Sequence, residues 1–262
     1  MKVISYNIHK GFSFGNTKFV LKRMREHLRD VNPDLVFLQE VLGAHDGHAS
    51  RVDGWPKASQ FEYIADTLWP HHAYGKNAVY DEGHHGNAIL SKHDIVMWEN
   101  IDVSNNRLER RGMLHAVIHT DDFNRDLHVI CLHLDLFEGG RERQVARLAK
   151  RIEEAVPHDA PLIVAGDFND WKERAGRILE DELDLIEIHK AVHGYHARSF
   201  PSWWPFLPLD RMYCRGLEPV EAKCLSGKPW SELSDHAALF AELRFEPSTK
   251  RHRRRRQAPT PA

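Results

Sequence analysis

Short apolar runs that end in polar residues recur along this chain. Residues 162–165 are four apolar residues in succession, and residues 35–38 are four more. Runs of this kind predict strands that are buried on both faces. Gly166 interrupts the first run, and Asp167 and Asn169 follow at the strand end where α/β enzymes carry their chemistry. Being two residues apart in an extended chain, these two side chains share one face and suit a hard cation or a water beside a phosphate.

The same patterning predicts more strands than helices. Strands are predicted at residues 2–9, 35–38, 73–80, 87–91, 95–103, 113–119, 127–134, 162–165, 209–213, 217–224 and 236–245. Helices are predicted at 17–29, with Thr17 as the cap, and at 59–68, 138–156 and 171–180. We expect loops at 45–55 and 195–207 and a hairpin turn at 121–124, because turn-forming residues cluster there.

The amino-acid composition is consistent with the predicted strands and helices. The chain has 262 residues, of which 42% are apolar and 28% charged, as in ordinary soluble globular proteins. We see no signal peptide and no segment long enough to span a bilayer, and therefore expect a cytoplasmic protein. We also expect a monomer. The three cysteines have no metal-site spacing, and their odd number argues against a disulfide framework. We predict one domain, residues 1–246, followed by a tail, residues 247–262.

Charge is unevenly distributed between the domain and the tail. The formal net charge is -2, from 36 Lys and Arg against 38 Asp and Glu. Six of those 36 lie in residues 250–256 (KRHRRRR), so the rest of the chain has 30 basic against 38 acidic residues. An isolated basic run of this kind is expected to be disordered. It could bind the phosphates of nucleic acid or an anionic membrane surface, or it could simply be a solvated tail.

Several predicted strands end in residues that can do chemistry. These are Asn7, Glu40, His133, Asp167 with Asn169, Asp210, and Asp235 with His236. Any one of them alone is better explained as a turn residue, a surface ion pair or a buried structural histidine. Their repetition after buried strands favours a common site in which metal-ligating oxygens and proton-carrying imidazoles converge.

These strand ends carry a resemblance to a known family. The segments are SYNIH at 5–9, LQE at 38–40, GNAILS at 86–91, LHL at 132–134, GDFN at 166–169, LDR at 209–211 and SDH at 234–236. Together they resemble the endonuclease/exonuclease/phosphatase superfamily, which includes deoxyribonuclease I, exonuclease III type repair enzymes, neutral sphingomyelinases and inositol polyphosphate 5-phosphatases. The resemblance implies a four-layer α/β/β/α sandwich, with two mixed, mostly antiparallel sheets packed face to face and helices outside.

The resemblance also implies an activity and residue roles. It implies hydrolysis of a phosphate ester with a divalent cation, usually Mg²⁺, which Mn²⁺ would replace. Glu40 is then the main metal carboxylate, with Asn7 and Asp235 at or near the same ion. Asp167 and Asn169 would position the attacking water and the phosphate, and Asp210 would orient His236, the second catalytic histidine.

Three further positions follow from the same resemblance. His133 matches the histidine of the deoxyribonuclease I and sphingomyelinase branches, so the exonuclease III type is less favoured. Arg111 and Asn87 match phosphate-contacting positions, although Arg107 and Arg110 are alternatives to Arg111.

The substrate is left open by these residues. The first hypothesis is a nuclease acting on DNA, because the histidine-bearing branch, the arginines at 107, 110 and 111 and the basic tail all suit a polyanion. The second is a phospholipid or phosphoinositide phosphodiesterase, because FPSWWPFL at 200–207 is typical of a membrane-interface loop, unless that loop packs inside. The third, a non-catalytic phosphate-binding module, is weakened because no metal or histidine position is missing.

Other histidines lack the spacing of a zinc site. His45 and His48, with Asp46, follow the Glu40 strand, and His84 and His85 lie in a glycine-flanked segment. Surface-loop positions are the simpler interpretation of both groups, and contact with the substrate is the alternative.

Overall fold

Twelve strands and five helices make up the described part of the computed structural model, which covers residues 1–80, 83–105, 110–120 and 125–245, without the side chains of residues 44–46, 48 and 49. The strands are β1 Lys2–Asn7, β2 Leu35–His45, β3 His71–Tyr80, β4 Gly83–Ser91, β5 Ile95–Asp102, β6 Gly112–Thr120, β7 Arg125–His133, β8 Leu162–Asp167, β9 Ile186–Glu187, β10 Asp210–Arg215, β11 Leu217–Leu225 and β12 Ala238–Phe245. The helices are α1 Leu21–Val31, α2 Asp46–Arg51, α3 Gln60–Ala65, α4 Glu138–Ala155 and α5 Ile188–His193.

The strands form two six-stranded sheets. Their orders are β11-β12-β1-β2-β4-β3 and β5-β6-β7-β8-β10-β9. One central pair in each sheet is parallel, β1 with β2 and β7 with β8, and the other neighbours are antiparallel. This confirms the expected mixed, mostly antiparallel sheets. The carboxyl ends of each parallel pair therefore lie at one edge of their sheet.

Three separate apolar cores correspond to the interfaces of a four-layer sandwich. The central core joins inward side chains of both sheets, such as Phe37 and Ile163. A second core packs the first sheet against α1 and α3, and a third packs the second sheet against α4. Successive side chains of a strand point to opposite faces, so a strand between two cores must be apolar at every position. The uninterrupted runs at residues 35–38 and 162–165 are explained in this way.

Several local predictions were wrong. Helix α1 begins at Leu21, and Thr17 does not cap it but donates to the Phe14 carbonyl. Residues 45–55 contain α2, and the predicted helix at 171–180 is a short π-helical segment, Arg177–Glu182. Neither β9 nor α5 was predicted. The turn at 121–124 and the tail at 247–262 lie outside the described residues.

Other boundaries were correctly predicted for identifiable reasons. Ser59 caps α3 in a reciprocal arrangement with Glu62, and Asn32 ends α1 in the left-handed conformation, with φ 53°. In the described part of the chain, no helix is both long and apolar enough to cross a membrane.

A buried histidine pair lies on the second sheet, beneath α4. His115 Nε2 is 3.0 Å from His128 Nδ1, and Arg151 Nε donates to His115 Nδ1 at 3.2 Å. Burial lowers the pKa of His115 to about 4, helped by the charges of Arg151 and His128. Burial also lowers the pKa of His128. Both rings are therefore neutral in the folded protein at pH 7.

This pair predicts a loss of stability in acid. Because the folded pKa of His115 lies below its ordinary value of 6.5, the unfolded chain takes up the proton first as the pH falls. Between pH 6.5 and about 4, wild type should lose about 1.4 kcal/mol per pH unit relative to His115→Gln, whose carboxamide does not titrate but still offers a donor and an acceptor. Urea unfolding at several pH values measures this difference. Parallel pH profiles for wild type and His115→Gln would contradict it, and His72→Gln, at an exposed position, is the control.

Candidate active site

Chemically capable residues from both sheets meet at one end of the sandwich. Strand β1 ends at Asn7, β7 at His133 and β8 at Asp167, while β10 begins at Asp210. In the second sheet His133 and Asp210 are the register partners of Asp167 on its two sides. The parallel pairs therefore bring their carboxyl ends together, as in other α/β enzymes.

Glu40 reaches this site through an irregularity in β2. The pairing of β2 with β4 shifts between Leu38 and Val41, and both of these residues face the helix-covered core. Glu40 has a φ of 56°, which is uncommon for a residue with a side chain. The extra residue re-aims the carboxylate toward the strand ends, as β-bulges near active sites do.

Asp167 is a buried carboxylate surrounded by donors. Asn7 Nδ2 donates to its Oδ2 at 3.1 Å and the Asn169 amide to its Oδ1 at 2.9 Å. The Nε2 atoms of His133 and His236 lie 3.4 and 3.8 Å from Oδ2. Burial raises the pKa of Asp167 to about 7, although the His236 charge acts against this rise. The donors from both sheets thus converge on one desolvated group.

Asp210 lies behind the ring of His236. Its Oδ2 is 2.8 Å from His236 Nδ1, so the proton on Nδ1 is assigned to this hydrogen bond. Burial lowers the pKa of His236, but the carboxylates of Asp210 and Asp167 outweigh burial and raise it to about 10. This imidazole is therefore a cation at neutral pH, with Nε2 facing Asp167.

The pKa of His133 is shifted in the direction opposite to that of His236. Burial lowers its pKa well below the usual value, and the positive charges of Arg111 and His236 lower it further. The site therefore combines one neutral and one cationic imidazole on the same carboxylate, Asp167, an arrangement typical of acid–base chemistry.

A second carboxylate group lies beside the first. His9 Nδ1 is 3.2 Å from Asp235 Oδ2 and 3.9 Å from Glu40 Oε2, and Lys10 Nζ is also 3.9 Å from Glu40 Oε2. Burial acts to raise the pKa of Glu40, but Lys10 and the nearby histidines lower it below its usual value. His9 and Lys10 were not among the predicted site residues. Their position directly after the Asn7 strand end was the available signal.

Backbone strain is concentrated at these residues. His9, Lys10, Glu40 and Asn169 have positive φ values of 45°, 56°, 56° and 49°. Each such conformation costs on the order of 1 kcal/mol or more and persists only where surrounding contacts impose it. Gln60 makes one such contact, because its Nε2 donates to the Lys10 carbonyl at 2.7 Å. Strain of this kind is typical of functional sites.

Comparison with known proteins agrees with this geometry. The model of the endonuclease/exonuclease/phosphatase family matches residues 4–236. The chain belongs to this family. As a member of the endonuclease/exonuclease/phosphatase family, it is a hydrolase of phosphate esters. The expected family and four-layer fold are thus confirmed.

One relative by sequence and two solved structures of similar fold can be compared with this chain. The chain is 46% identical over 242 residues to the uncharacterized protein YbhP of Escherichia coli (strain K12), covering 92% of this chain and 95% of YbhP. The structure of D. rerio TDP2 with a single-strand DNA product has a TM-score of 0.67 and 18% identity, covering 93% of this chain and 98% of that one. Mannosyl-6-phosphatase Bt3783 of Bacteroides thetaiotaomicron has a TM-score of 0.70 and 16% identity, covering 94% of this chain and all of that one.

Two carboxylate groups of this family member could hold a cation. Atoms of Asp167, Asp210 and His236 that can ligate a metal lie within 4.8 Å of one another. In that group the His236 imidazolium is hydrogen-bonded to Asp210. Glu40 and Asp235 offer further carboxylate oxygens at the partly exposed edge of the site, and each lies within 3.9 Å of His9 Nδ1.

The side-chain oxygen of Asn7 does not point toward the carboxylates, as the oxygen of a metal ligand would. Its Nδ2 faces Asp167 at 3.1 Å and Glu40 at 3.4 Å, while its Oδ1 accepts from the His9 amide. In this conformation Asn7 holds the two carboxylates in place, and its role as a metal ligand stays a prediction.

Two other predicted positions, Asn87 in β4 and Arg111 directly before β6, lie beside the site. Asn87 is buried and donates to the Gly112 carbonyl, joining the two sheets, and its contact with substrate stays a prediction. Burial, helped by the positive charges of Lys10 and Arg111, lowers the pKa of His85 to about 4. His85 belongs to strand β4 rather than to a surface loop, and it lies by Glu40 and Lys10.

His84 also belongs to strand β4 and not to a surface loop. It contacts Tyr74, with 3.0 Å between its Nδ1 and the tyrosine hydroxyl. Arg107, and the side chains of His45, Asp46 and His48, lie outside the described residues. Their proposed substrate contacts stay predictions.

The geometry predicts a large effect of single substitutions. His236→Ala, His133→Ala and Asp167→Ala should each reduce turnover of a chromogenic phosphodiester at least about a hundredfold, the usual scale for acid–base groups. Rates would be measured with saturating Mg²⁺, and circular dichroism would check folding. Near-normal turnover of His236→Ala would contradict its assignment, and His27→Ala, on the outer surface of α1, is the matched control.

Proposed function

We propose that the protein is a divalent-metal-dependent phosphodiesterase that cleaves DNA. The observation that supports it best is the pair of imidazoles, His133 and His236, on one buried carboxylate, Asp167, beside a second carboxylate group. Hydrolysis of a phosphodiester needs an oriented water, neutralised phosphoryl oxygens and a proton for the leaving oxygen. This arrangement contains a candidate for each requirement.

The cation site of the proposal consists of Glu40 and Asp235, with Asn7 holding Glu40 in place. A bound Mg²⁺ or Mn²⁺ would polarise the phosphoryl group and neutralise charge on its oxygens. Carboxylate oxygens suit these ions, which share their coordination with substrate phosphates.

The attacking water is assigned to Asp167. Its carboxylate is fixed by the Asn7 side chain and by the Asn169 amide, so its free direction is set by the protein. Asn169 is itself fixed, because its Nδ2 donates to the Leu134 carbonyl at 2.9 Å. A carboxylate that is already held in the reactive orientation increases the rate, because no entropy is lost in orienting it during the reaction.

Proton transfer is assigned to the two histidines. Asp210 keeps the ring of His236 in one orientation, with Nε2 directed into the site. His133 approaches Asp167 from the neighbouring strand. One imidazole on each side of the reacting phosphate would serve both the water and the leaving oxygen.

DNA is the proposed substrate because cations surround the carboxylates. Lys10 and Arg111 lie by the site, and Arg110 is close to it in the chain and half exposed. Similarity to TDP2, which was solved with a single-strand DNA product, supports this choice at the level of fold. Arg107 and the basic tail would add phosphate contacts, and the acidic balance of the remaining chain would restrict DNA to this end.

A second candidate, a phospholipid phosphodiesterase, is favoured by one observation. Phe14, Trp203, Trp204 and Phe206, here called the aromatic rim, are each more than half exposed, and neighbouring rings are 6.2–6.3 Å apart. The loop at 200–207 therefore does not bury its tryptophans. An exposed aromatic patch beside a catalytic site is typical of proteins that bind a membrane surface.

The aromatic rim is tied to the candidate active site. The Ser202 amide donates to the Asp235 carbonyl at 2.7 Å, and the Phe200 ring is 5.0 Å from that of His236. A surface on which the rim rests would therefore lie at the mouth of the site. This is the reason to test lipids alongside DNA.

A paired assay tests the two substrates. Purified protein with Mg²⁺ or Mn²⁺ would receive supercoiled plasmid and single-stranded oligonucleotide in one arm. The other arm would contain liposomes with cardiolipin, phosphatidylglycerol and phosphoinositides. We expect metal-dependent nicking of DNA that EDTA and Asp167→Ala abolish.

Each alternative outcome is informative. Release of lipid headgroups with intact plasmid would replace the DNA proposal with the second candidate. No reaction in either arm would contradict both and leave a small soluble phosphate ester as the substrate.

The rim provides a separate prediction for the second candidate. Trp203→Ala/Trp204→Ala should weaken liposome binding at least about thirtyfold, because even one ring of the two contributes about 2 kcal/mol when it is buried. Hydrolysis of a small soluble diester should not change, since neither ring contacts the carboxylates. Sedimentation with liposomes measures the binding, and Trp98→Ala, at a half-exposed tryptophan of β5, is the matched control. Unchanged sedimentation of the double variant would contradict a membrane role for the rim.

A further inference from the structure

An exposed tryptophan follows the strand end that carries Asp167. Trp171 is 41% exposed and comes two positions after Asn169, so that the Cα atoms of these two residues are less than about 8 Å apart. The Asn169 amide donates to Asp167 Oδ1, which places this stretch of chain at the candidate active site. Single exposed apolar residues are common on protein surfaces, so the support of the ring must show whether it has a role.

A buried arginine covers one face of the Trp171 indole. Arg141 is only 4% exposed, and its Cζ atom lies 4.4 Å from the centroid of the indole ring. The guanidinium also donates to the carbonyls of Asp135 and Leu136, and these bonds oppose its movement away from the ring. A cation over the face of an aromatic ring is attracted to it. One face of the ring is therefore held against the protein, which leaves the other side for a ligand.

The backbone around Trp171 is anchored as well. Arg211 Nη2 donates to the carbonyl of the preceding residue, Asp170, at 3.1 Å. Asn169 Nδ2 donates to the Leu134 carbonyl at 2.9 Å, which ties this segment to the one that follows β7. Trp171 and Arg141, here called the Trp171 platform, therefore hold a fixed position beside the strand ends of β7 and β8.

This construction suits stacking on a flat ring better than insertion into a membrane. A side chain that inserts into a bilayer needs apolar surface but no fixed orientation, whereas a stacking surface must present one face at a fixed angle. Every nucleobase has a flat face, and unpaired bases bind to proteins by stacking on aromatic side chains. In a duplex the neighbouring bases already cover these faces. An unpaired base is therefore the ligand that the Trp171 platform fits.

We propose that Trp171 stacks on an unpaired base next to the phosphate that is cleaved, so that the enzyme prefers single-stranded DNA. This inference rests on the proposed action on DNA and specifies the state of the strand that the site accepts. Trp171 contacts a part of the substrate that does not react, so it determines specificity and takes no part in proton transfer.

Strands with and without bases test the stacking. One substrate is a short, fluorescein-labelled single strand of thymidylate, and the other is a strand of equal length in which each nucleotide is replaced by its abasic tetrahydrofuran analogue. Both strands carry the same phosphates, so the ratio of their kcat/KM values measures the contribution of the bases. In Trp171→Ala this ratio should fall about tenfold relative to wild type, which is within the range for the loss of one base stack.

Two further variants and a duplex complete the experiment. Trp171→Phe keeps an aromatic face and should retain part of the ratio. Trp98→Ala is the matched control, because this tryptophan is half exposed on β5, and it should keep the wild-type ratio. A longer strand, offered alone and annealed to its complement, measures the strand preference. We expect wild type to cleave the single strand more efficiently and Trp171→Ala to lose most of this preference.

The outcomes separate the inference from the proposed function. If wild type cleaves DNA and Trp171→Ala keeps the wild-type ratio, the inference is overturned and the nuclease proposal stands. An equal loss on both strands would overturn it too, because a structural role of Trp171 does not depend on bases. Weaker sedimentation of Trp171→Ala with liposomes, at an unchanged ratio, would make the ring a membrane contact instead. Failure of wild type to cleave any of the strands would contradict both the inference and the proposed action on DNA.

Discussion

The hydrogen bond from Asn7 to Asp167 joins the two sheets at the point on which the candidate site depends. The two residues are 160 positions apart in sequence, and the contact between them, 3.1 Å long, is buried. A carboxylate removed from water is costly unless donors surround it, so Asp167 requires partners from both layers. Asn7 comes from the first sheet, and the Asn169 amide and His133 come from the second. The candidate site therefore forms only when the two sheets pack against each other correctly.

The remaining groups follow from the same constraint. Asp210 adds another buried carboxylate beside Asp167, and the cationic ring of His236 lies between them, 2.8 Å from Asp210 and 3.8 Å from Asp167. Glu40 and Asp235 lie nearer to solvent, with Lys10 Nζ 3.9 Å from Glu40 and His9 Nδ1 3.2 Å from Asp235. The buried Asp167–Asp210–His236 group, whose charges partly compensate one another, thus lies beside the more exposed carboxylates of Glu40 and Asp235. This difference is why we assign water and proton transfer to the first group and the cation to the second.

Much of the fold could be predicted from local patterns. Unbroken apolar runs such as 162–165 predicted strands between two cores, and the stripe through Val145 and Leu148 predicted α4 almost to its ends. Thr17 was misleading, because a hydroxyl before an apolar run caps a helix only if the chain turns there, and here it bonds to Phe14. Glu40 shows a second limit. If side chains alternated strictly along β2, Glu40 would lie on the same face as Leu38. The bulge against β4 instead turns the Glu40 carboxylate toward the candidate site.

Residue type and local periodicity were enough to identify the residues that can do chemistry, the family, and the strands that deliver them. Which of these side chains touch follows from sheet order and register, as the contacts of Asp167 with Asn7 and His133 show. Tertiary structure also decided the protonation of the two histidines, because burial and neighbouring charge lower the pKa of His133 and raise that of His236. The place of His9 between two carboxylates depends on a strained turn held by Gln60, an effect of packing that no local pattern encodes.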